Sequence, residues 1–98
     1  MRAEADLDEV RRRIDRVDHD IVRLLATREQ LVRRAGQLKT DTQAVRAPAR
    51  VDQVVARVRA AADEAGASPD VVERTYRAMI AAFIDLELTV HHAHPTDP

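Results

Sequence analysis

The chain has 98 residues, of which 45% are hydrophobic and 34% charged, and its 16 basic and 17 acidic groups leave a net charge of −1. That is one small domain with a modest core, too polar for a membrane-embedded chain and too apolar for a disordered one. One tyrosine, one phenylalanine and two glycines exclude the aromatic strands and Gly-rich turns of a β-sandwich or barrel. The expected fold class is all-α.

The absence of cysteine excludes a disulfide scaffold and a thiolate metal site. No apolar run approaches about 18 residues and the first residues hold no signal-peptide core, so the expected location is cytoplasmic. The charge is uneven. Residues 1–50 carry twelve basic and nine acidic groups, residues 51–98 four and eight. Fifteen of the sixteen basic residues are arginine, and Lys39 is the single lysine.

The first helix is predicted from Asp6, with Glu9 at capping-box spacing, to about residue 40. Its apolar positions are Leu7, Val10, Ile14, Val17, Ile21, Leu24, Leu31, Ala35 and Leu38, a heptad seam in which steps of three and four alternate. Gly36 is the only weak helix former near its end. A helix of about 34 residues is about 50 Å long, whereas a globule of this size is about 25–30 Å across. The seam therefore asks for a second chain, and an intertwined helical homodimer is expected.

Residues 40–48 are polar, end in Pro48 and are read as a loop. The second helix is predicted over 48–65, with Val51, Val54, Val55, Val58, Ala61, Ala62 and Ala65 on one face and Gly66 at its end. Ser68 and Pro69 open a third helix over 69–91, which buries Val72, Tyr76, Met79, Ile80, Phe83, Ile84 and Val90. From His91 the chain is expected to fray, with residues 92–98 a flexible tail. A metal site built on His91, His92 and His94 has no fourth ligand and is set aside in favour of that tail, so deleting residues 91–98 is expected to spare activity. The whole chain, 1–98, reads as a single domain.

Polar residues stand where the pattern calls for apolar ones. In the seam of the first helix every position from 7 to 38 is apolar except Arg28. A buried arginine is costly unless paired or liganded, so Arg28 is either half of a buried ion pair or an anion-binding fork. Arg28 and Lys39 are eleven residues apart, three turns and about 16 Å along one face. Arg11 is about 25 Å from Arg28 along the axis, within reach of the same ligand only if it comes from a second chain. On the third helix Glu87 interrupts the apolar stripe, as a partner for a buried cation or as a carboxyl kept protonated by desolvation. Arg50 opens the second helix beside Val51. Arg28, Lys39, Arg50 and a borrowed Arg11 against one acid suit a small dicarboxylate. Arg12, Arg13, Arg16, Arg23, Arg33 and Arg34 read as solvated surface.

The spacing Arg11-x2-Ile14-x3-Asp18-x9-Arg28-x10-Lys39, followed by Pro48-x-Arg50 and Glu87, resembles the all-helical chorismate mutases over about residues 7–90. The resemblance implies a homodimer with two shared active sites, each taking Arg28, Lys39 and Arg50 from one subunit and Arg11 from the other. It implies that Arg11 and Arg28 grip the two carboxylates of chorismate, while Lys39 and Glu87 meet the ether oxygen of the breaking bond. Phe83 would line the site. No cofactor and no metal is implied, because the rearrangement is pericyclic. Catalysis then comes from holding the compact conformer and from aiming cationic donors at the ether oxygen. Glu87 donates there only when protonated, so the rate is expected to fall as that carboxyl ionises, and Glu87→Gln to flatten the profile.

Ala47 and Val51 depart from the family, many of whose members place acidic residues there for the C4 hydroxyl of chorismate. In this stretch the chain is similar to isochorismate-pyruvate lyases and to 4-amino-4-deoxychorismate mutases, so three substrates stay open, as does service in primary aromatic biosynthesis or a secondary pathway. Outside enzymology, a dimeric helical interaction module explains the heptad as well, and under it Arg28→Leu would stabilise the fold at no functional cost. Nucleic-acid binding is disfavoured by the nine acids among the arginines and by the lack of aromatics.

Overall fold

The computed structural model of the chain describes residues 2–93. It is all-α: α1 (Arg2–Leu38), α2 (Thr42–Arg46), α3 (Pro48–Ala65) and α4 (Pro69–Ala93), with no strand among the described residues. These divide between residues 31 and 32 into two units.

The first unit is the α1 segment up to Leu31. The helix starts at Arg2 rather than at the expected Asp6. Ala3, Glu4 and Ala5 are all good helix formers, so nothing stops propagation toward the N-terminus, and Glu4 in the first turn suits the helix dipole. Its outer face is laced with short-range ion pairs: Glu9 with Arg12 at 3.0 Å and Arg13 at 3.2 Å, and Asp20 with Arg23 at 2.6 Å. All are exposed and worth little each. The heptad seam is exposed too, with Leu24 at 70% and Leu31 at 66%.

The second unit begins with the end of α1. Lys39 N still donates to Ala35 O at 3.0 Å, and the chain then leaves the helix two residues before the expected position. Residues 42–46, read as loop, form α2 instead. Asp41 Oδ1 accepts from Ala44 N at 2.7 Å and caps it, while Val45, only 3% exposed, anchors it in the core against α4. Ala47 sits in the left-handed region (φ 31°, ψ 66°), closing α2 through its N–H to Gln43 O and opening α3 through its carbonyl, which accepts from Arg50 and Val51. Pro48 occupies the first turn of α3.

α3 ends at Gly66 (φ 76°), where Gly66 N donates to Asp63 O and Ala67 N to Ala62 O, satisfying two terminal carbonyls. Ser68 Oγ accepts from Val71 N and starts α4, which folds back on α3. Val55, Ala62, Ile80 and Val90 are the buried apolar contacts of this hairpin with its surroundings. Val51, Val54, Val58, Val72, Tyr76, Met79, Phe83 and Ile84 are only half-buried, and Ala61 and Ala65 are exposed. Near the turn Arg59 Nη1 donates to Asp70 (3.0 Å) and Glu73 (2.8 Å), and Arg77 Nε donates to Glu73 (2.7 Å). The hydrogen bonds it donates to Asp70 and then Glu73 raise the Arg59 guanidinium above its usual range. The hydrogen bond from Arg77, opposed by partial desolvation and supported by Arg59, lowers Glu73 below the usual carboxylate range.

α4 continues through His91, His92 and Ala93, which corrects the expected fraying at His91. No helix breaker intervenes before Pro95, and the His91 ring has a partner in the fold. The rest of the expected tail, 94–98, and with it His94, lies outside the described residues. Among the described residues no helix is long and apolar enough to cross a membrane, and no three His, Cys, Asp or Glu side chains gather as a metal-ligand group.

Candidate active site

Two of the polar residues singled out in the sequence meet in the second unit. Lys39 stands immediately beyond the last residue of α1, and Glu87 lies within α4, 48 residues further on. Lys39 Nζ donates to Glu87 Oε2 at 2.7 Å. Glu87 is 6% exposed and is the one buried charged residue of the described chain, while the lysine side chain keeps 30% of its surface. The partner of the buried carboxyl is therefore a lysine. Two further N–H groups of the ammonium are left to point elsewhere. A half-exposed cation beside a buried carboxyl is a group that can turn toward an oxygen of a guest without leaving its acid.

The approach of α4 to the end of α1 is what brings them together. Gly36 is buried, and a Cβ added to it would stand 3.0 Å from Glu87 Cγ, 3.2 Å from Glu87 O and 3.4 Å from Val90 Cγ1. A Cβ there would crowd Glu87 and Val90, which would have to give by a few tenths of an ångström. On the next turn of α4, His91 Nδ1 is 3.3 Å from Gly36 O. Reading the sequence gave Gly36 no role beyond weak helix propensity and put His91 in a tail. The one signal that pointed further was the stepping of apolar residues through Val90.

The other expected site residues are placed as follows. Phe83 is half-buried one turn before Glu87 on α4. Ala47 is half-buried between α2 and α3, and Val51 is half-buried in the first turn of α3. Arg50 is exposed and donates through Nη1 to Gln53 Oε1 at 2.9 Å along its own helix, so it is not drawn to the Lys39–Glu87 pair. Arg11 and Arg28 both belong to α1 in the first unit, about 25 Å apart along its axis. Arg28 is half-buried and Arg11 exposed.

An all-helical chain with a lysine at the end of its long first helix, bound to a buried acid of its last, is the arrangement that the spacing of the sequence resembles in the chorismate mutases. The family model for chorismate mutase type II matches residues 10–88. The chain belongs to that family, which is a family of isomerases. No curated protein and no solved structure matches the chain.

Proposed function

We propose that the protein rearranges chorismate to prephenate, with Lys39 and Glu87 at the ether oxygen of the breaking bond. The observation that carries the reading is the 2.7 Å Lys39–Glu87 bond at a buried carboxyl, in a chain of this family. The reaction breaks a C–O bond and forms a C–C bond within one molecule, so the site has no proton to move and no group to transfer. It holds the compact conformer and stabilises charge that develops on the ether oxygen. The Lys39 ammonium supplies the opposing positive charge in a place partly shielded from water. Glu87 orients it by accepting from Nζ. Arg28 takes one carboxylate of the substrate and Arg11 of the partner subunit the other, with Arg50 turning inward from Gln53 at the mouth and Phe83 against the ring.

The same reading requires a homodimer. The exposed seam of α1, from Leu7 to Leu31, is the surface that a second copy covers. The compartment expected for such an enzyme is the cytoplasm, and neither cofactor nor metal enters the step.

A second reading is favoured by Val51 and Ala47. Both are half-buried at the start of α3 and offer the substrate no polar group for a C4 hydroxyl. A 4-amino-4-deoxychorismate mutase, or an isochorismate-pyruvate lyase, would use the same cations on a substrate that differs at that position. A non-catalytic helical dimer is the outcome to exclude.

The test is product identification with chorismate, isochorismate and 4-amino-4-deoxychorismate supplied separately, with Arg28→Ala as control. Prephenate formed far above the control supports the leading reading. Salicylate with pyruvate, or the amino-prephenate, reassigns the substrate through Val51 and Ala47. No turnover of any of the three overturns both and leaves the interaction module.

A further inference from the structure

We propose that Gly36 and His91 form a clasp that sets the Lys39–Glu87 geometry, which makes His91 a positioning residue for the reaction. The functional half of this rests on the reading of Lys39 and Glu87 as the ether-oxygen pair, while the structural half stands on the contacts alone.

The end of α1 leaves carbonyls that no later turn can satisfy. Ala35 O takes the last of the regular bonds, from Lys39 N at 3.0 Å. Gly36 O, the next in the row, faces His91 Nδ1 at 3.3 Å. A carbonyl can only accept, so Nδ1 carries the proton in this contact. The nitrogen donates in that neutral tautomer and in the imidazolium alike, so the clasp holds in either charge state.

Its position makes it more than a helix cap. His91 is four residues after Glu87, on the same face of α4. Gly36 is three residues before Lys39. Glu87 Cγ and Val90 Cγ1 stand where they would crowd a Cβ on Gly36, His91 holds its carbonyl, and Lys39 closes the circuit onto Glu87 at 2.7 Å. Glycine sets how near α4 comes and histidine sets where along α1 it stops. An ammonium aimed at one oxygen atom is sensitive to both, because a misplacement of about 1 Å costs on the order of a hundredfold in rate.

Lys39 is the only lysine in the chain, so lysine labelled with 13C and 15N gives one side-chain signal that reports the pair directly. The experiment takes the full chain, with Glu87→Gln marking where that signal lies once the ion pair is lost. In Gly36→Ala and His91→Leu the signal is expected to move toward the Glu87→Gln position. His91→Asn, whose amide nitrogen replaces Nδ1, is expected to bring it back. In the same proteins, assayed well below their melting temperatures, kcat falls about 10- to 100-fold in Gly36→Ala and His91→Leu. KM stays within about threefold, because the carboxylate-binding arginines are untouched, and His91→Asn restores most of the loss. A residue that only stabilised the fold would move the melting temperature and leave both signal and kcat in place.

A Lys39 signal unmoved in His91→Leu overturns the clasp, and that variant keeps the test open if Gly36→Ala does not fold. A signal that moves while kcat does not overturns the positioning role. Lys39→Ala separates this from the site reading. If it keeps full activity, the proposed function of Lys39 has failed whatever the signal does.

Discussion

Lys39 and Glu87, 48 residues apart in sequence, are joined by a 2.7 Å bond that ties the end of α1 to the last third of α4. The carboxyl is buried and the ammonium half-exposed, so the two ends of the bond respond differently to loss of their partner. Lys39→Ala strands a carboxylate away from water and is expected to destabilise the fold by about 1–3 kcal/mol, less than for a fully buried pair because the lysine is part-solvated. Glu87→Gln keeps the shape and leaves a soluble cation, so it costs less. Urea unfolding of both single variants and the double variant measures the coupling. Equal losses from the two single variants would contradict this asymmetry.

The activity of the same variants checks the mechanism. Lys39→Ala is expected to lower prephenate formation about 10²- to 10³-fold, the usual loss for one donor aimed at developing charge. Glu87→Gln removes the carboxylate that holds the Lys39 ammonium but leaves the cation in place, so it is expected to lower the rate less than Lys39→Ala does. A Glu87→Gln rate equal to the parent's would remove Glu87 from the ether-oxygen pair.

Glu73 carries the pH dependence that the ion pairs of the α3–α4 turn impose on stability. Arg77 and Arg59 hold its carboxyl below the range it has in the unfolded chain. A group lowered in this way contributes stability above its unfolded value and loses it as pH falls through its folded one. The parent's advantage over Glu73→Gln in urea midpoint is therefore expected to be full near neutrality and to vanish in acid. Other carboxylates titrate over the same range, so the difference between the two proteins is the quantity to follow. An advantage that persists at pH 2 would assign it to packing.

Ala47 is the only non-glycine residue with positive φ among those described. Its Cβ opposes the left-handed conformation by about 1–2 kcal/mol, and it stays there because the α2 end and the α3 start both bond through its backbone. Ala47→Gly relieves that strain, against a somewhat larger loss of unfolded-chain freedom. Ala47→Val adds a branched Cβ to it. The glycine variant is expected to exceed the valine variant by about 2 kcal/mol in chemical unfolding.

What could be read in the sequence follows from how local each cause is. Pro48, Gly66, Ser68 and Pro69 act on their own backbone, and α3 begins and ends, and α4 begins, beside them. The apolar stepping of α4 through Val90 marks a face whatever covers it. Glu87 stood out because a carboxyl on that face must have a reason, yet its partner depended on packing across 48 residues. α2 was hidden because five residues cannot hold a helix alone. Its cap at Asp41 and its anchor at Val45 count only once α4 is in place. Gly36 carries no sign of its role, since the groups that would crowd a Cβ there belong to a different helix.

The seam of α1 gives the last prediction. Leu7, Val10, Ile14, Val17 and Ile21 remain about half-exposed in the single chain, and Leu24 and Leu31 more so. Each such side chain has about 1 kcal/mol of burial still to gain, and their steps of three and four are those of a helix that packs along its length on another. With a second copy on that face, the parent is expected to run at twice its 11.0 kDa mass and to melt at a temperature that rises with concentration. Leu24→Glu separates the two possibilities, because position 24 is already 70% exposed in one chain. If the chain is a monomer, a glutamate there changes neither mass nor melting temperature by more than a surface substitution does. In a dimer it places two charges in the seam, halves the mass at low concentration and lowers the melting temperature. It is also expected to abolish turnover, since under the proposed function each site takes its Arg11 from the partner subunit. Sedimentation of parent and variant over a hundredfold range of concentration, beside the activity of each, decides between them.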